Sequence, residues 1–328
     1  MITVYSPLRI SFAGGGTDIS PFVEECGGAV TNTTIDRGIT IRYIDDGGTL
    51  EVSSRDFLKT SLISSKNNSM ETQIIELLTG NNIRTGRVIL SGDVPPGSGL
   101  GSSSALINGL LKLIYTVNNV NRTAFEIAEE SYSIEKNNFN IILGRQDPYA
   151  IAIGGLKFME FHNGHQSVTK FYGQSEFKSK LERSLLLVYT GHTRESAAAL
   201  KDQVTKSEAG DIETMKNLNS IRELAFDARD AIRNSNIKGL CRVINTGWNI
   251  KKSLGNNITN DRIDNIIETA FSMKADAARL LGGGSEGFIL LLSDPSNINY
   301  LEESMMSYSD FVIRLKFDSR GTRVIQNF

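Results

Sequence analysis

Three glycines on alternate residues and three consecutive hydroxyls meet in the run Pro95-Pro96-Gly97-Ser98-Gly99-Leu100-Gly101-Ser102-Ser103-Ser104-Ala105. Glycine lets a backbone take positive φ and approach a ligand with no Cβ in the way. The apolar residues that follow, Leu106, Ile107, Leu110, Leu111, Leu113 and Ile114, recur at helical spacing, so the serines fall at a helix start. A helix start carries unpaired N–H groups and the positive end of the dipole, and both favour phosphate. The stretch Pro96, Gly97, Ser98, Gly99, Leu100, Gly101, Ser102, Ser103 and Ser104 therefore reads as a nucleotide-phosphate cradle, with hydroxyls set to reach a metal ion. It is not a Walker A loop, because no lysine follows Gly101. Simple serine capping of a helix needs neither so many glycines nor three hydroxyls.

Two further groups of residues suit the same chemistry. Arg9 lies in a strand-like alternation, and the turn Gly14-Gly15-Gly16 follows, presenting Thr17 and Asp18. Carboxylate and hydroxyl groups hydrogen-bond sugar hydroxyls, while an arginine nearby balances phosphate charge. The competing reading is a surface salt bridge and a helix N-cap. Glu135 ends an amphipathic segment, and Gly144-Arg145-Gln146-Asp147-Pro148 puts a second carboxylate on a turn that Pro148 stiffens. Phosphoryl transfer needs positioning and charge neutralisation more than covalent chemistry. Mg²⁺ takes one or two protein oxygens besides phosphates and water, which Glu135 and a serine from 102 to 104 could supply. Asp147 would then accept, or orient, the proton of the attacking hydroxyl. A third glycine run, Gly282-Gly283-Gly284-Ser285-Glu286-Gly287, serves either close approach to a ligand or a simple helix end. His162, His165 and His192 show no metal-ligand spacing, and the solitary Trp248 belongs in a core.

The surrounding sequence must position these groups. Strands are expected over Ile2–Phe12 with a break at Pro7, and over Ala29–Ile35, Ile39–Ile44 and Leu50–Val52, with Asp46-Gly47-Gly48 as a hairpin turn. Thr17 or Asp18 is expected to cap a short helix through Val23. Residues 61–69 read as a polar loop bordering the adenine, and Arg87–Ser91 as a strand. Helices are expected at 74–78, after Ser102, at 123–137, over much of 195–242 and at 261–280. Strands follow at 156–161, 168–171, 185–189, 288–292 and 311–317. Without regular β-α-β alternation this is an α+β pattern, with a boundary near residue 180 between units 1–180 and 181–328.

With 328 residues, 40% hydrophobic and 22% charged, the composition is that of an ordinary globular chain. Thirty-five basic against 37 acidic side chains give a net charge of −2, with no basic block for nucleic acid or a membrane surface. Cys26 and Cys241 are isolated, and no leader-like or membrane-spanning segment is seen, so a cytoplasmic protein is expected.

The chain resembles the GHMP kinases along most of its length, with three motifs in the family's order at Pro7–Asp18, Pro96–Ala105 and Gly282–Gly287. The first, P-L-R-I-x-F-A-G-G-G-T-D, and the segment Thr190-Gly191-x-x-Arg194 most resemble the bacterial D-glycero-D-manno-heptose 7-phosphate kinases within that family. The resemblance implies an N-terminal domain of the ribosomal protein S5 domain 2-like type and a ferredoxin-like C-terminal domain. It implies ATP on the loop Gly97–Ser104, Mg²⁺ on Ser103 and Glu135, and Asp147 as the catalytic aspartate with Arg9 as the basic partner. Gly15, Gly16, Thr17 and Asp18 would contact the sugar, together with Arg194, Gly283 and Gly284. A phosphate on the acceptor would need cations, for which Arg37, Arg145 and Arg194 are candidates. Glu286 departs from the family's third motif and would set a carboxylate near phosphate. The expected activity is transfer from ATP to the anomeric hydroxyl of heptose 7-phosphate by a monomer or homodimer. A kinase for a galactose- or fucose-type sugar and a non-catalytic relative are the alternatives.

Overall fold

The computed structural model describes residues 1–54, 70–139, 141–162, 164–191, 196–255 and 258–327. The expected loop at 61–69, His192 and Arg194 lie outside the described residues. The first half of the chain lays down β1 (Ile2–Ala13), β2 (Gly28–Thr49), β3 (Glu51–Ser54), β4 (Thr85–Gly92), β5 (Lys157–His162) and β6 (His165–Lys170). A smaller sheet holds β7 (Leu185–Tyr189), β8 (Ala277–Leu280), β9 (Phe288–Leu292) and β10 (Val312–Ile313), in the order β10-β7-β9-β8. The last strands, β11 (Phe317–Asp318) and β12 (Arg323–Asn327), return to the larger sheet, where they pair with β2 and β1. All pairs are antiparallel except β3–β4.

The helices are α1 (Phe22–Cys26), α2 (Met70–Gly80), α3 (Ser102–Val117), α4 (Ala124–Asn137), α5 (Gln146–Ile153) and α6 (Ser175–Ser184). Then come α7 (Ser196–Glu208), α8 (Ile212–Arg233), α9 (Ile237–Lys252), α10 (Asp261–Ser272) and α11 (Ile298–Met305). The architecture is α+β, and no helix of the described residues is long and apolar enough to cross a membrane. β1 is buried along almost its whole length because α3 packs on it and α8 and α9, from the second half, pack on it as well. The six apolar residues of α3 that recur at helical spacing are all buried. α4 opens with a reciprocal capping box, Thr123 with Glu126, and turns Ile127, Ala128, Ser131, Tyr132 and Glu135 inward.

Several local expectations give way to tertiary pairing. Pro7 does not break β1; it faces Gly38 of β2, and the register slips between Pro7 and Arg9, as fits a residue with no N–H for the ladder. Asp46-Gly47-Gly48 is not a hairpin turn. Ile44 faces Arg87 and Thr49 faces Thr85, so the segment bulges, with the Asp45 and Asp46 carboxylates accepting from the N–H groups of Gly47 and Gly48. The helix expected to reach residue 280 ends at Ser272, and 277–280 is β8. The apolar run there has period two, since Ala277 and Leu281 join one core cluster while Ala278 and Leu280 join another. The strand expected at 311–317 is two short strands in different sheets. The expected boundary near residue 180 falls within α6, and residues 317–327 lie in the larger sheet. Trp248 is buried in the core cluster of the smaller sheet.

Candidate active site

The glycine-rich run feeds α3 as its spacing requires. Gly101 is the N-cap, in left-handed conformation at φ +80°, and a Cβ there would lie 3.2 Å from Asp147 Oδ2. Gly99, at φ +78°, abuts the third glycine run so closely that a Cβ would sit 2.6 Å from the Leu281 carbonyl oxygen. Gly282 faces back, its own Cβ position 2.6 Å from Gly99 Cα. Only residues without side chains allow two loops to meet backbone to backbone here. Gly97, Gly99, Gly101, Ser102, Ser103 and Ser104 line a cleft of about 330 Å³. Pro96, Ser98 and Leu100 do not line it. Leu100 points into the core while its carbonyl accepts from Arg9 N at 3.0 Å, and Ser98 O accepts from Phe288 N at 3.1 Å. These alternate residues tie the loop to its two neighbours.

β1 delivers Arg9, and the first turn of α5 delivers Asp147. Arg9 is 5% exposed, and its guanidinium grips the carboxylate with both forks, Nε to Oδ1 and Nη2 to Oδ2 at 2.6 Å each. Nη1 donates to the Gly99 carbonyl at 2.6 Å, so the same side chain pins the cradle to the carboxylate. Gln146 donates to Asp147 Oδ1 at 3.3 Å and accepts from the Ser11 hydroxyl at 2.9 Å. Asp18 caps no nearby helix, and α1 has no side-chain cap. Its carboxylate instead reaches the start of α5, accepting from Gln146 N at 2.8 Å and from Gly16 N at 3.1 Å. Burial drives its pKa up, and these N–H donors oppose the shift. Gly15, Gly16, Asp18 and Gly283 line the cleft, whereas Thr17 and Gly284 do not. The Thr17 hydroxyl donates to the carbonyls of Gly14 and Ala29 and holds the turn closed.

Glu135 sits at the inner end of the α4 stripe, 1% exposed, yet it lines the cleft beside Ser102, Ser103 and Ser104. Burial raises its pKa to about 7, against the opposing hydrogen bonds of Ser104, Ser103 and Ser131. Glu286 lies off the cleft lining, and its charge is felt by the Tyr189 hydroxyl, whose pKa burial and then Glu286 raise.

Cations in the cleft differ from those expected. Arg37 pairs with Asp36 at 3.2 Å, and Arg145 pairs with Glu129 at 2.9 Å and covers the Tyr132 ring; neither lines the cleft. Lys251 of α9 and Arg279 of β8, neither of them among the expected cations, line it instead. Their signal was visible. Lys251 continues the inward stripe Leu240, Ile244, Gly247, and Arg279 interrupts the apolar run Ala277-Ala278-Arg279-Leu280-Leu281. A charge at an inward position is rare unless something compensates it. Gln203 of α7 completes the rim, donating to the Gly16 carbonyl at 3.0 Å.

Comparison with known proteins follows the same lines. Residues 70–155, which include the cradle, α3, α4 and Asp147, match the model of the GHMP kinases N terminal domain. A D-glycero-alpha-D-manno-heptose 7-phosphate kinase of Campylobacter jejuni is 28% identical, with 98% of each chain covered. The chain is thus similar to GHMP kinases along its length, and residues 70–155 carry the match to their N-terminal domain. It is accordingly a phosphotransferase with an alcohol group as acceptor. Two solved structures share the GHMP kinase fold. A D-glycero-D-manno-heptose 1-phosphate kinase from Bacteroides thetaiotaomicron has a TM-score of 0.79 at 22% identity, with all of both chains covered. Lactococcus lactis galactokinase complexed with galactose has a TM-score of 0.76 at 16% identity, covering 98% of this chain and 94% of that one.

Proposed function

We propose that the chain is a GHMP kinase and transfers the γ-phosphate of ATP to the anomeric hydroxyl of D-glycero-D-manno-heptose 7-phosphate, giving the 1,7-bisphosphate. The observation that carries the reading is the Arg9–Asp147 pair, held between the glycine cradle and the Gly14–Asp18 turn within one cleft. The full-length likeness to a heptose 7-phosphate kinase supports this acceptor over a galactose- or fucose-type sugar.

The N–H groups of Gly97 to Gly101 and the start of α3 hold the triphosphate. Asp147 accepts a hydrogen bond from the acceptor hydroxyl and aims its oxygen at the γ-phosphorus. As that O–P bond forms, the bond to the β–γ bridging oxygen breaks and the hydroxyl proton passes to Asp147. In a loose transition state the hydroxyl loses its proton late, so the chief work of Asp147 is to orient it. Arg9 offsets charge on the group in flight. Gly16 and Asp18 orient the sugar. The oxygens of Ser103 and Glu135 fit Mg²⁺, since they are hard donors and a carboxylate this deeply buried gains from a cation beside it. When bound, the ion would neutralise phosphate charge. An assay of ADP formation with heptose 7-phosphate, free heptose, galactose and fucose tests the reading, with ³¹P spectra locating the new phosphate. Equal turnover of the free sugars, or a phosphate added away from C1, overturns it.

A further inference from the structure

We propose that Lys251 and Arg279 form a second anion subsite of the cleft, which takes the phosphate already carried by the acceptor sugar. The inference rests on the sugar-phosphate kinase reading above and names the residues that would enforce it.

Both side chains are nearly sealed, at 7% and 4% exposure, and both line the cleft. Among the described residues neither forms an ion pair with a carboxylate. Lys251 Nζ donates to the Gly282 carbonyl, and Arg279 Nη1 donates to the Phe12 carbonyl at 2.9 Å. Among the described residues Arg279 Nε is buried with no hydrogen-bond partner. Neutral carbonyls do not compensate two buried charges, and buried charges are normally paired. Nearby carboxylates are committed elsewhere, since Asp147 is gripped by Arg9 and Asp18 holds two backbone N–H groups. Burial and then the charges of Arg279 and Arg9 lower Lys251 to about 7, and burial and then Arg9 lower Arg279 to about 10. An anion between them would reverse both shifts.

Two anions enter a kinase cleft, and position separates them. The nucleotide's phosphates have their own cradle at Gly97–Ser104. Lys251 and Arg279 also line a narrow recess behind Gly14 and Gly15, bounded by Leu224 and Gly247. That recess lies on the side of the proposed sugar loop. An arginine and a lysine together match a phosphate dianion in charge and donors, whereas a free sugar would leave both uncompensated.

Substrate pairs that differ only in one phosphate provide the test: heptose with heptose 7-phosphate, and mannose with mannose 6-phosphate. Wild type should favour the phosphorylated member. In Lys251→Met and Arg279→Gln the ratio of kcat/KM, phosphorylated over free, should fall about 10- to 100-fold, the worth of one lost hydrogen bond to a charged group. Lys251→Arg should restore part of the ratio. An unchanged ratio in both variants, or a rise in the KM for ATP as large as that for the sugar phosphate, overturns the subsite while the heptose 7-phosphate reading stands. A wild type that favours mannose 6-phosphate over heptose 7-phosphate overturns the acceptor assignment and supports the subsite. A wild type that favours free sugars overturns both. Should the variants not fold, thermal protection of wild type still decides: mannose 6-phosphate must raise the melting temperature well above mannose alone, and equal shifts overturn the subsite.

Discussion

Asp147 and Glu135 are carboxylates of one cleft whose surroundings fit them to different work. Asp147 is held open by the Arg9 fork, and its side chain keeps 24% exposure, enough to meet a hydroxyl. Asp147→Asn should lower kcat by about 100-fold or more, the usual contribution of a positioned acid–base group, with nucleotide affinity retained. Turnover near wild type in steady-state assays would remove Asp147 from its role. Glu135 is closed in, and its pKa of about 7 means that the folded protein keeps a proton that the unfolded chain releases near 4.5. The ligand-free protein therefore carries this stabilisation in full below 4.5 and loses it as pH rises to about 7. The melting temperature of wild type relative to Glu135→Gln should fall across that window and stay level above it. A difference independent of pH would show that Glu135 ionises freely in the fold.

At the scale of elements, the site depends on two loops that touch through their glycines. Gly99 and Gly47 both hold positive φ, +78° and +73°, but a Cβ on Gly47 meets nothing within 4 Å. Gly47→Ala should therefore cost only the backbone strain, about 1–2 kcal/mol, with turnover retained. Gly99→Ala adds a collision with the Leu281 carbonyl, so it should melt lower and raise KM for ATP as the two loops part. Calorimetry with kinetics checks this, and equal effects of the two substitutions would mean that the loop contact has no functional weight. The same elements divide what was legible in the sequence from what was not. The cradle and α3 could be read because glycine spacing and helical period are local signals. β8 could not, since Ala275 to Leu281 suits a helix or a buried strand until its partner β9 is known. Bulging at Asp46–Gly48 depends on β4, some forty residues away, and β3 reads as a hairpin partner of β2 until its parallel pairing with β4 is seen. Asp18 looked like a local cap, yet it serves α5 from across the fold. Lys251 and Arg279 stand out less in the sequence, because an inward charge acquires meaning only beside the cleft it faces.

Across the whole molecule the two sheets are not independent. One hydrophobic cluster joins Phe12, Leu100 and Leu106 of the first half to Leu187, Ile244 and Leu290 of the second. α8 covers β1 and β2, α9 covers β1, and the chain's last strands complete the larger sheet, with the Thr34 hydroxyl donating to the Asp318 carbonyl at 2.6 Å. A fragment of residues 1–180 would lose β11 and β12 and expose the faces that α8 and α9 cover. It should therefore show no cooperative melt on its own, despite holding the cradle, Arg9, Glu135 and Asp147. The full chain should unfold in one step. Its single tryptophan, Trp248, reports on the core of the smaller sheet, while far-UV dichroism reports on all elements. Coincident transitions by the two probes are expected, since the smaller sheet gives one face to the cluster around Trp248 and its other face to the cluster shared with the first half. A sigmoidal melt of the fragment, or a Trp248 transition well below the dichroism transition, would establish two separable units and leave the cleft as a joint between them.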